Sequence, residues 1–301
     1  MSRQASGLRR ALEIIDGLTK LKQTSLLVFS MYAAFIAAGG LSRPLLLHLE
    51  LLGIGYVAIG SVTAINMYFD RDIDAAMPRT RSRPLPSGAV SPGAVLGVSA
   101  VLLAVSLAAA WLLVNPYYAA AIALGFVFDI VAYTLLLKRR TPLNIVAGAV
   151  AGGAPALGGW AAATGRIDAA AVLFSLIVAA WVPAHIWFLA TFYREDYSRA
   201  NVPMLPVVTD SNVVGIGVGL GALATGYAVA GLALLHAIGP LAAAYGLFMS
   251  CYLFKLAVDY VERGGDKAYA RRAFVRVNMS LGLFYAILIA EKAASMLAAW
   301  L

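Results

Sequence analysis

Nine apolar stretches, each about long enough to cross a hydrocarbon core of roughly 30 Å, recur along this 301-residue chain. They fall near residues 23–42, 44–69, 90–114, 116–137, 143–163, 168–193, 211–236, 238–260 and 273–299. A backbone in lipid must satisfy its own hydrogen bonds, so stretches of this length predict helices and an all-α integral membrane protein. Composition agrees, because 61% of the residues are apolar and only 13% charged, which excludes the soluble globular class. The loops are too short for a second soluble domain. The expected organisation is therefore a basic N-terminal segment, 1–22, followed by a single transmembrane domain, 23–301.

Charge sets the orientation. Of the 23 Lys and Arg residues, 19 lie in the N-terminal segment or after the second, fourth, sixth and eighth stretches. The positive-inside rule places that side, and the N-terminus, in the cytoplasm, with the C-terminus opposite in a multi-pass cell-membrane protein. The net charge of +8 is then a topology signal and a contact for the anionic lipid bilayer, and no nucleic-acid partner is expected. Glu13 and Asp16 interrupt the basic N-terminal segment and no small-residue cleavage site follows the first apolar run, so no removable signal peptide is expected. The single cysteine, Cys251, excludes an internal disulfide and multi-cysteine metal centres, and is expected to serve packing.

The chemistry concentrates in two charged loops on the same side. The first reads NMYFDRDIDAAMPRTRSRPLPSG from residue 66. Asn66, Asp70 and Asp74 follow one another at four-residue spacing, so on a helix they form a polar stripe with steps of about 6 Å. Three oxygen-bearing side chains suit a hard cation, and Mg2+, which keeps waters and shares phosphate oxygens, suits a site with few carboxylates. Arg71, Arg79, Arg81 and Arg83 supply the complementary charge, because guanidinium forks match phosphate oxygens in pairs. Together these residues predict a magnesium diphosphate site at the membrane surface.

The second loop lies in WVPAHIWFLATFYREDYSRANVPMLPVV, from residue 181. His185, Phe188, Phe192 and Asp196 fall close to one helical stripe, since eleven residues make almost three turns. Arg194, Glu195, Asp196, Arg199 and Asn201 cluster at its outer end, where solvated interfacial charges are the alternative reading. His185 lies roughly 16 Å below Asp196, as a packing histidine, a haem-iron ligand or a donor to a buried substrate. Asp129 is a costly intramembrane acid that needs a partner, a cavity or a proton, and its face is expected to carry Tyr133 and to end at Arg140. Lys138 or Arg140 is expected to bind a substrate anion, and Asn144 is a site candidate at the charged end of the fifth stretch. Gly148 and Gly152 there are expected to permit close helix contact.

The segments NMYFDRDIDAAMPRTRSRP, YTLLLKRRTPLNIVAGAVAGGAPALGGWAAATG and HIWFLATFYREDYSRANVPMLP resemble the intramembrane UbiA prenyltransferase superfamily, densely over residues 60–210. The Asn-xxx-Asp-xxx-Asp spacing marks the superfamily, while the DRDIDxxMxRTxxRP extension and the DYxxAxxPMLP loop resemble its haem branch. The resemblance implies about nine transmembrane helices around a central cavity, with Asn66, Asp70 and Asp74 as metal ligands. It also implies farnesyl diphosphate and haem B as substrates, haem O and diphosphate as products, and a magnesium requirement. Candidate protein partners are a haem A synthase or a terminal oxidase. Many members carry a second Asp-xxx-Asp motif, whereas here Asp196 is followed four positions on by Ala200, which leaves Glu195, Asp196 and Asn201 as local candidates for a second metal. Asp70, Asp74 and Asp196 are the expected catalytic set, with Arg71, Arg79, Arg83, Lys138, Arg140, Asn144, His185, Tyr193, Arg194 and Asn201 around the substrates. A prenyltransferase acting on a quinone precursor or lipid acceptor is the nearest alternative, and a secondary transporter a remote one.

Overall fold

In the computed structural model, which describes residues 2–298, helices account for nearly the whole chain and no strand occurs among the described residues. Among the described residues, eight helices are long and apolar enough to cross a membrane. They are α3 (Leu45–Phe69), α5 (Pro92–Val114), α6 (Pro116–Leu137), α7 (Asn144–Thr164), α8 (Ala169–Phe192), α11 (Ser211–Leu234), α12 (Pro240–Glu262) and α13 (Lys267–Ala298). A shorter apolar helix, α2 (Leu21–Ala37), takes the place of the first expected stretch. It stops early because the chain turns through Gly39 (φ 91°) into one 3₁₀ turn at Gly40–Ser42. Short helices α1 (Ser2–Thr19), α4 (Arg71–Ala76), α9 (Arg194–Arg199) and α10 (Leu205–Val208) complete the chain.

The helix ends follow local chemistry. Proline opens α5, α6 and α12, where its missing N–H costs nothing. Asn115, Asp168 and Asp210 accept from the N–H groups of Tyr118 (2.9 Å), Ala171 (3.1 Å) and Val213 (3.0 Å). Helix α13 begins six residues before the last apolar stretch, because Asp266 accepts from the Tyr269 N–H (2.6 Å) and starts it there. Hydropathy saw only the lipid-crossing part of this helix, and residue 299 of that expected stretch lies outside the described residues.

Neighbours in sequence mostly pack as neighbours in space: α7 on α6 and α8, α8 on α11 and α13, and α11 on α12. Helix α13 returns to α2, which itself packs on α7, so the bundle closes. With lipid outside, this association depends on close van der Waals fit more than on hydrophobic burial. At Gly159 a Cβ would stand 1.8 Å from the Met31 carbonyl oxygen, and at Gly221 one would stand 2.4 Å from that of Ala180. Those contacts fix α2 on α7 and α11 on α8. Of the expected pair, Gly152 meets Val182 at 3.0 Å, but Gly148 makes only ordinary contact, so it does not set a close approach. Cys251 is exposed on the outward face of α12 and is not a packing residue.

The lower half of α6, Val127–Leu137, is a π-helix, with bonds running from N–H to the carbonyl five residues back. Lys138 N–H closes it on the Tyr133 carbonyl (2.7 Å), and the Thr134 hydroxyl donates to the Asp129 carbonyl (2.6 Å). The α-helical spacing that aligned Asp129 with Arg140 therefore does not apply: Arg140 is exposed, beyond the end of the helix.

Candidate active site

The acidic stripe survives a break in its helix. Helix α3 ends at Asp70 (φ −92°, ψ 0°) and α4 begins at Arg71, yet Asp70 N–H still donates to the Asn66 carbonyl (3.0 Å) and Asp74 N–H to that of Asp70 (2.8 Å). The helical repeat is kept across the bend. Asn66, Asp70 and Asp74 are all buried, at 9%, 5% and 5% exposure. Asp72, two positions away, is exposed and held by Arg139 through two hydrogen bonds of 2.7 Å. Arg139 keeps the Asp72 carboxyl below the usual carboxylate range.

Each buried carboxylate faces a cation. The Lys138 ammonium donates to Asp70 Oδ2, and Lys138 also stands 5.2 Å from the centre of the Tyr133 ring. Arg83 Nη1 lies 2.8 Å from both oxygens of Asp74. Asn66 is anchored across the same gap by its amide, which donates to the Thr134 hydroxyl (2.7 Å). The buried Thr80 hydroxyl donates to the Asp74 carbonyl (2.9 Å), folding the Arg-Thr-x-x-Arg-Pro run back so that Arg83 reaches the stripe.

Asn144 is fully buried, and its amide donates to the carbonyls of Thr141 (2.8 Å) and Lys138 (3.3 Å), fixing the turn that carries Lys138. Of the two candidates Lys138 and Arg140, only Lys138 enters the site.

The two charged loops pack on each other. Ile73 and Met77 of the first share an apolar cluster with Val202 and Met204 of the second and with Ala190. Arg79 lies over the Tyr193 ring at 4.6 Å, and Tyr193 meets the Phe192 ring edgewise at 4.6 Å. Other expected residues point elsewhere. Arg71 turns back on the end of α3, over Tyr68 at 4.5 Å and donating to the Tyr68 carbonyl (2.7 Å). Glu195 is exposed and paired with Lys267, and Arg194 donates to the Val207 carbonyl (3.2 Å). Asn201 is exposed and takes a left-handed conformation (φ 52°), which gives it a turn role. Asp196 is half-buried, and among the described residues no three His, Cys, Asp or Glu side chains gather into a metal-sized group. Asp70, Asp74 and Asp196 therefore do not form one carboxylate cage.

His185 lies between two rings, stacked on Trp181 at 4.5 Å and tilted against Phe274 of α13 at 4.8 Å, with Nδ1 buried and unpartnered among the described residues. Phe188 leaves the expected stripe: it is fully buried against Tyr260 of α12 at 5.4 Å. Trp181 and Phe274 are the rings against His185, and Phe192 lies farther out along α8 against Tyr193.

Lys20 was not legible as a site residue in the sequence. It sits at the left-handed turn (φ 48°) between α1 and α2, where Gly17 lets the chain press against Pro84 of the first loop. Burial, with the charges of Arg83 and Lys138 beside it, pushes its ammonium down to about 8. It remains a cation at neutral pH. Nothing distinguishes it by sequence from the other basic residues of the N-terminal segment.

The donor set fits a hard cation. Asp70 Oδ1 and Asn144 Oδ1 are buried acceptors without a hydrogen-bond partner, and all the donors along the stripe are oxygens or an amide. A membrane-embedded bundle with a buried acid stripe, faced at one rim by Lys20, Lys138 and Arg83, defines an intramembrane enzyme that handles a lipid-borne anion. The chain belongs to the UbiA prenyltransferase family, whose model matches residues 26–286.

It is 56% identical to a protoheme IX farnesyltransferase of Hyperthermus butylicus, over 97% of this chain and 98% of that one. A second protoheme IX farnesyltransferase, of Aeropyrum pernix, is 42% identical over 93% of this chain and 92% of that one. Among solved structures, a digeranylgeranylglyceryl phosphate synthase aligns with a TM-score of 0.74 at 16% identity, covering 93% of this chain and 98% of the other. A UbiA homologue from Archaeoglobus fulgidus, bound to GPP and Mg2+, aligns with a TM-score of 0.67 at 17% identity over the same shares. Those two structures share the fold.

Proposed function

We propose that this chain transfers the farnesyl group of farnesyl diphosphate to a vinyl group of haem B, giving haem O and diphosphate. The observation that carries the reading is the facing of Asp70 by Lys138 and of Asp74 by Arg83 at one rim of an apolar bundle. The full-length similarity to protoheme IX farnesyltransferases supplies the acceptor.

In this reading the C–O bond of the allylic diphosphate breaks and its electron pair leaves with the diphosphate. Lys138, Arg83 and Lys20 stabilise that growing negative charge, and their positions are set before the substrate arrives, so little reorganisation is needed. Asn66, Asp70 and Asp74, with Asn144, would hold Mg2+, which supplies further charge neutralisation on the diphosphate oxygens when bound. The apolar wall of Phe192, Trp181 and Phe274 keeps bulk water from the allylic cation and lends it ring electrons. The haem vinyl π pair forms the new C–C bond. Water then adds to the resulting cationic carbon and releases a proton, leaving a hydroxyethylfarnesyl substituent.

The side bearing both charged loops is assigned to the cytoplasm, from its excess of Lys and Arg. A haem A synthase or a terminal oxidase, as consumers of haem O, are the protein partners this reading would place beside it. The test is a mass-spectrometric product assay with purified protein, Mg2+, haem B, a quinone precursor and prenyl diphosphates of several lengths. Farnesylated, hydrated haem is expected; prenylation of the quinone precursor with haem untouched would replace this reading with the other acceptor class.

A further inference from the structure

Between the end of α8 and the start of α13 is a hollow of about 440 Å³, lined by Phe192 of α8 and by Ala268, Arg271, Arg272, Val275 and Arg276 of α13. Its floor is apolar and its rim carries three guanidinium groups. None of the three arginines is paired with a carboxylate among the described residues. Arg271 does have a partner of another kind, since it lies over the Phe192 ring at 5.3 Å.

A run of side-chain contacts links the hollow to the first loop. Arg79 of the first loop covers Tyr193, Tyr193 meets Phe192, and Phe192 is covered by Arg271, with successive separations of 4.6, 4.6 and 5.3 Å. The histidine lies farther along the same two helices. His185 and Phe192 are seven residues apart on one face of α8, about 10 Å along the helix. On α13, Phe274, which stacks on His185, stands between Arg272 and Arg276 in sequence.

Arginines at this rim could serve as positive-inside charges alone. That role does not account for their place over an apolar floor that ring contacts link to the first loop. Arg272 and Arg276 are four residues apart, which puts their Cβ atoms about 6 Å from each other on one helical row. A flat ligand with two carboxylates on one edge suits that pair. Guanidinium binds carboxylate through paired, charge-assisted hydrogen bonds, while Phe192 and Val275 offer the ring an apolar surface.

We infer that this hollow holds the acceptor by its two propionate carboxylates, with Arg272 and Arg276 as their partners and Arg271 fixing Phe192 against the porphyrin face. This rests on haem B being the acceptor. With the propionates held there, the opposite, vinyl-bearing edge of the porphyrin is the one left free to reach the rim where Asp70 and Lys138 stand. The arginines are positioning residues here, selecting which edge of the ring enters.

The experiment is a Soret titration of the full-length protein in nanodiscs of zwitterionic lipid, with haem B and with its dimethyl ester, which lacks both carboxylate charges. The unmodified protein is expected to bind haem B about tenfold more tightly than the ester, the lower range for a charge-assisted pair at an exposed rim. Arg272→Gln/Arg276→Gln is expected to lose that tenfold for haem B and to treat the two ligands alike, with farnesyl diphosphate affinity unchanged. Equal binding of haem B and ester by the unmodified protein overturns the inference, and needs no variant to fold. So does a loss in the variant that appears only when phosphatidylglycerol is added to the discs, which would make the hollow a lipid headgroup site. If the unmodified protein makes farnesylated haem yet ignores the carboxylates, only this inference fails. If it neither binds nor converts haem B, the acceptor assignment fails with it.

Discussion

Replacing Lys138 by methionine separates the two jobs of the site's most buried cation. The side chain is nearly isosteric, so packing against Tyr133 is kept while the charge beside Asp70 is lost. Asp70 is 5% exposed and its other oxygen, Oδ1, already lacks a partner, so the variant leaves a buried carboxylate with no direct hydrogen bond. Breaking a buried pair in this way costs about 3–5 kcal/mol. Lys20 stands near enough to Asp70 to compensate in part, so the lower end, about 3 kcal/mol, is expected. Thermal unfolding in detergent should show a midpoint several degrees below the parent. Adding Asp70→Asn should restore most of it, because the stranded charge is then gone. Turnover should fall by about 10²–10³ in the single variant, the usual loss for one preorganised group on a departing anion, and should not return in the double. Because Lys138 and a metal compete for the same carboxylate, the single variant should also bind Mn2+ more tightly than the parent in the absence of diphosphate. A Lys138→Met protein as stable as the parent, with no recovery on adding Asp70→Asn, would refute the buried-pair argument.

Asp74→Asn is expected to abolish turnover while the protein stays folded, whereas Asp72→Asn should keep most of it; a product assay at limiting magnesium compares the two, and equal losses would show that burial does not separate them. His185→Ala should shift the Soret band of bound haem and weaken its binding if the unpartnered Nδ1 edge meets the porphyrin; an unchanged spectrum and affinity with lower thermal stability would assign His185 to packing between Trp181 and Phe274. The Asp72–Arg139 pair gives a pH test. Arg139 depresses the folded carboxyl, so its stabilisation is present above the unfolded value near 3.9 and is lost as pH falls through the lower folded value. Both side chains are about half exposed, at 60% and 49%, so the pair contributes under about 1 kcal/mol. The parent should therefore exceed Asp72→Asn slightly in thermal midpoint at pH 7, and the difference should shrink as pH falls below about 3.9.

Much of this architecture was legible in the sequence, because lipid imposes one length on every crossing and leaves charge to the loops. The acid stripe was legible for a related reason: four-residue spacing survives a helix break when the backbone bonds continue across it. Other features depended on information that spacing does not carry. Phe188 and His185 are three residues apart and looked like one wall, but only contact with α12 decides that Phe188 faces Tyr260. Glu195 and Asp196 were indistinguishable as candidates until Lys267 drew the first of them outward. Lys20 gave no signal, since its role depends on α1 pressing against a loop more than sixty residues away in the chain.

The π-helical half of α6 acts as a vernier between insertion in the bilayer and alignment at the rim. A membrane-insertion apparatus reads hydropathy and length, and either would tolerate one residue more or fewer between 127 and 137. The site would not. Removing one codon while the i→i+5 winding holds would turn everything beyond it by roughly a quarter turn about the helix axis. Lys138 would then swing away from Asp70 in a protein that still inserts, spans and packs most of its helices. A single-residue deletion here is therefore a lesion invisible to expression and targeting screens, and detectable only by assaying the chemistry.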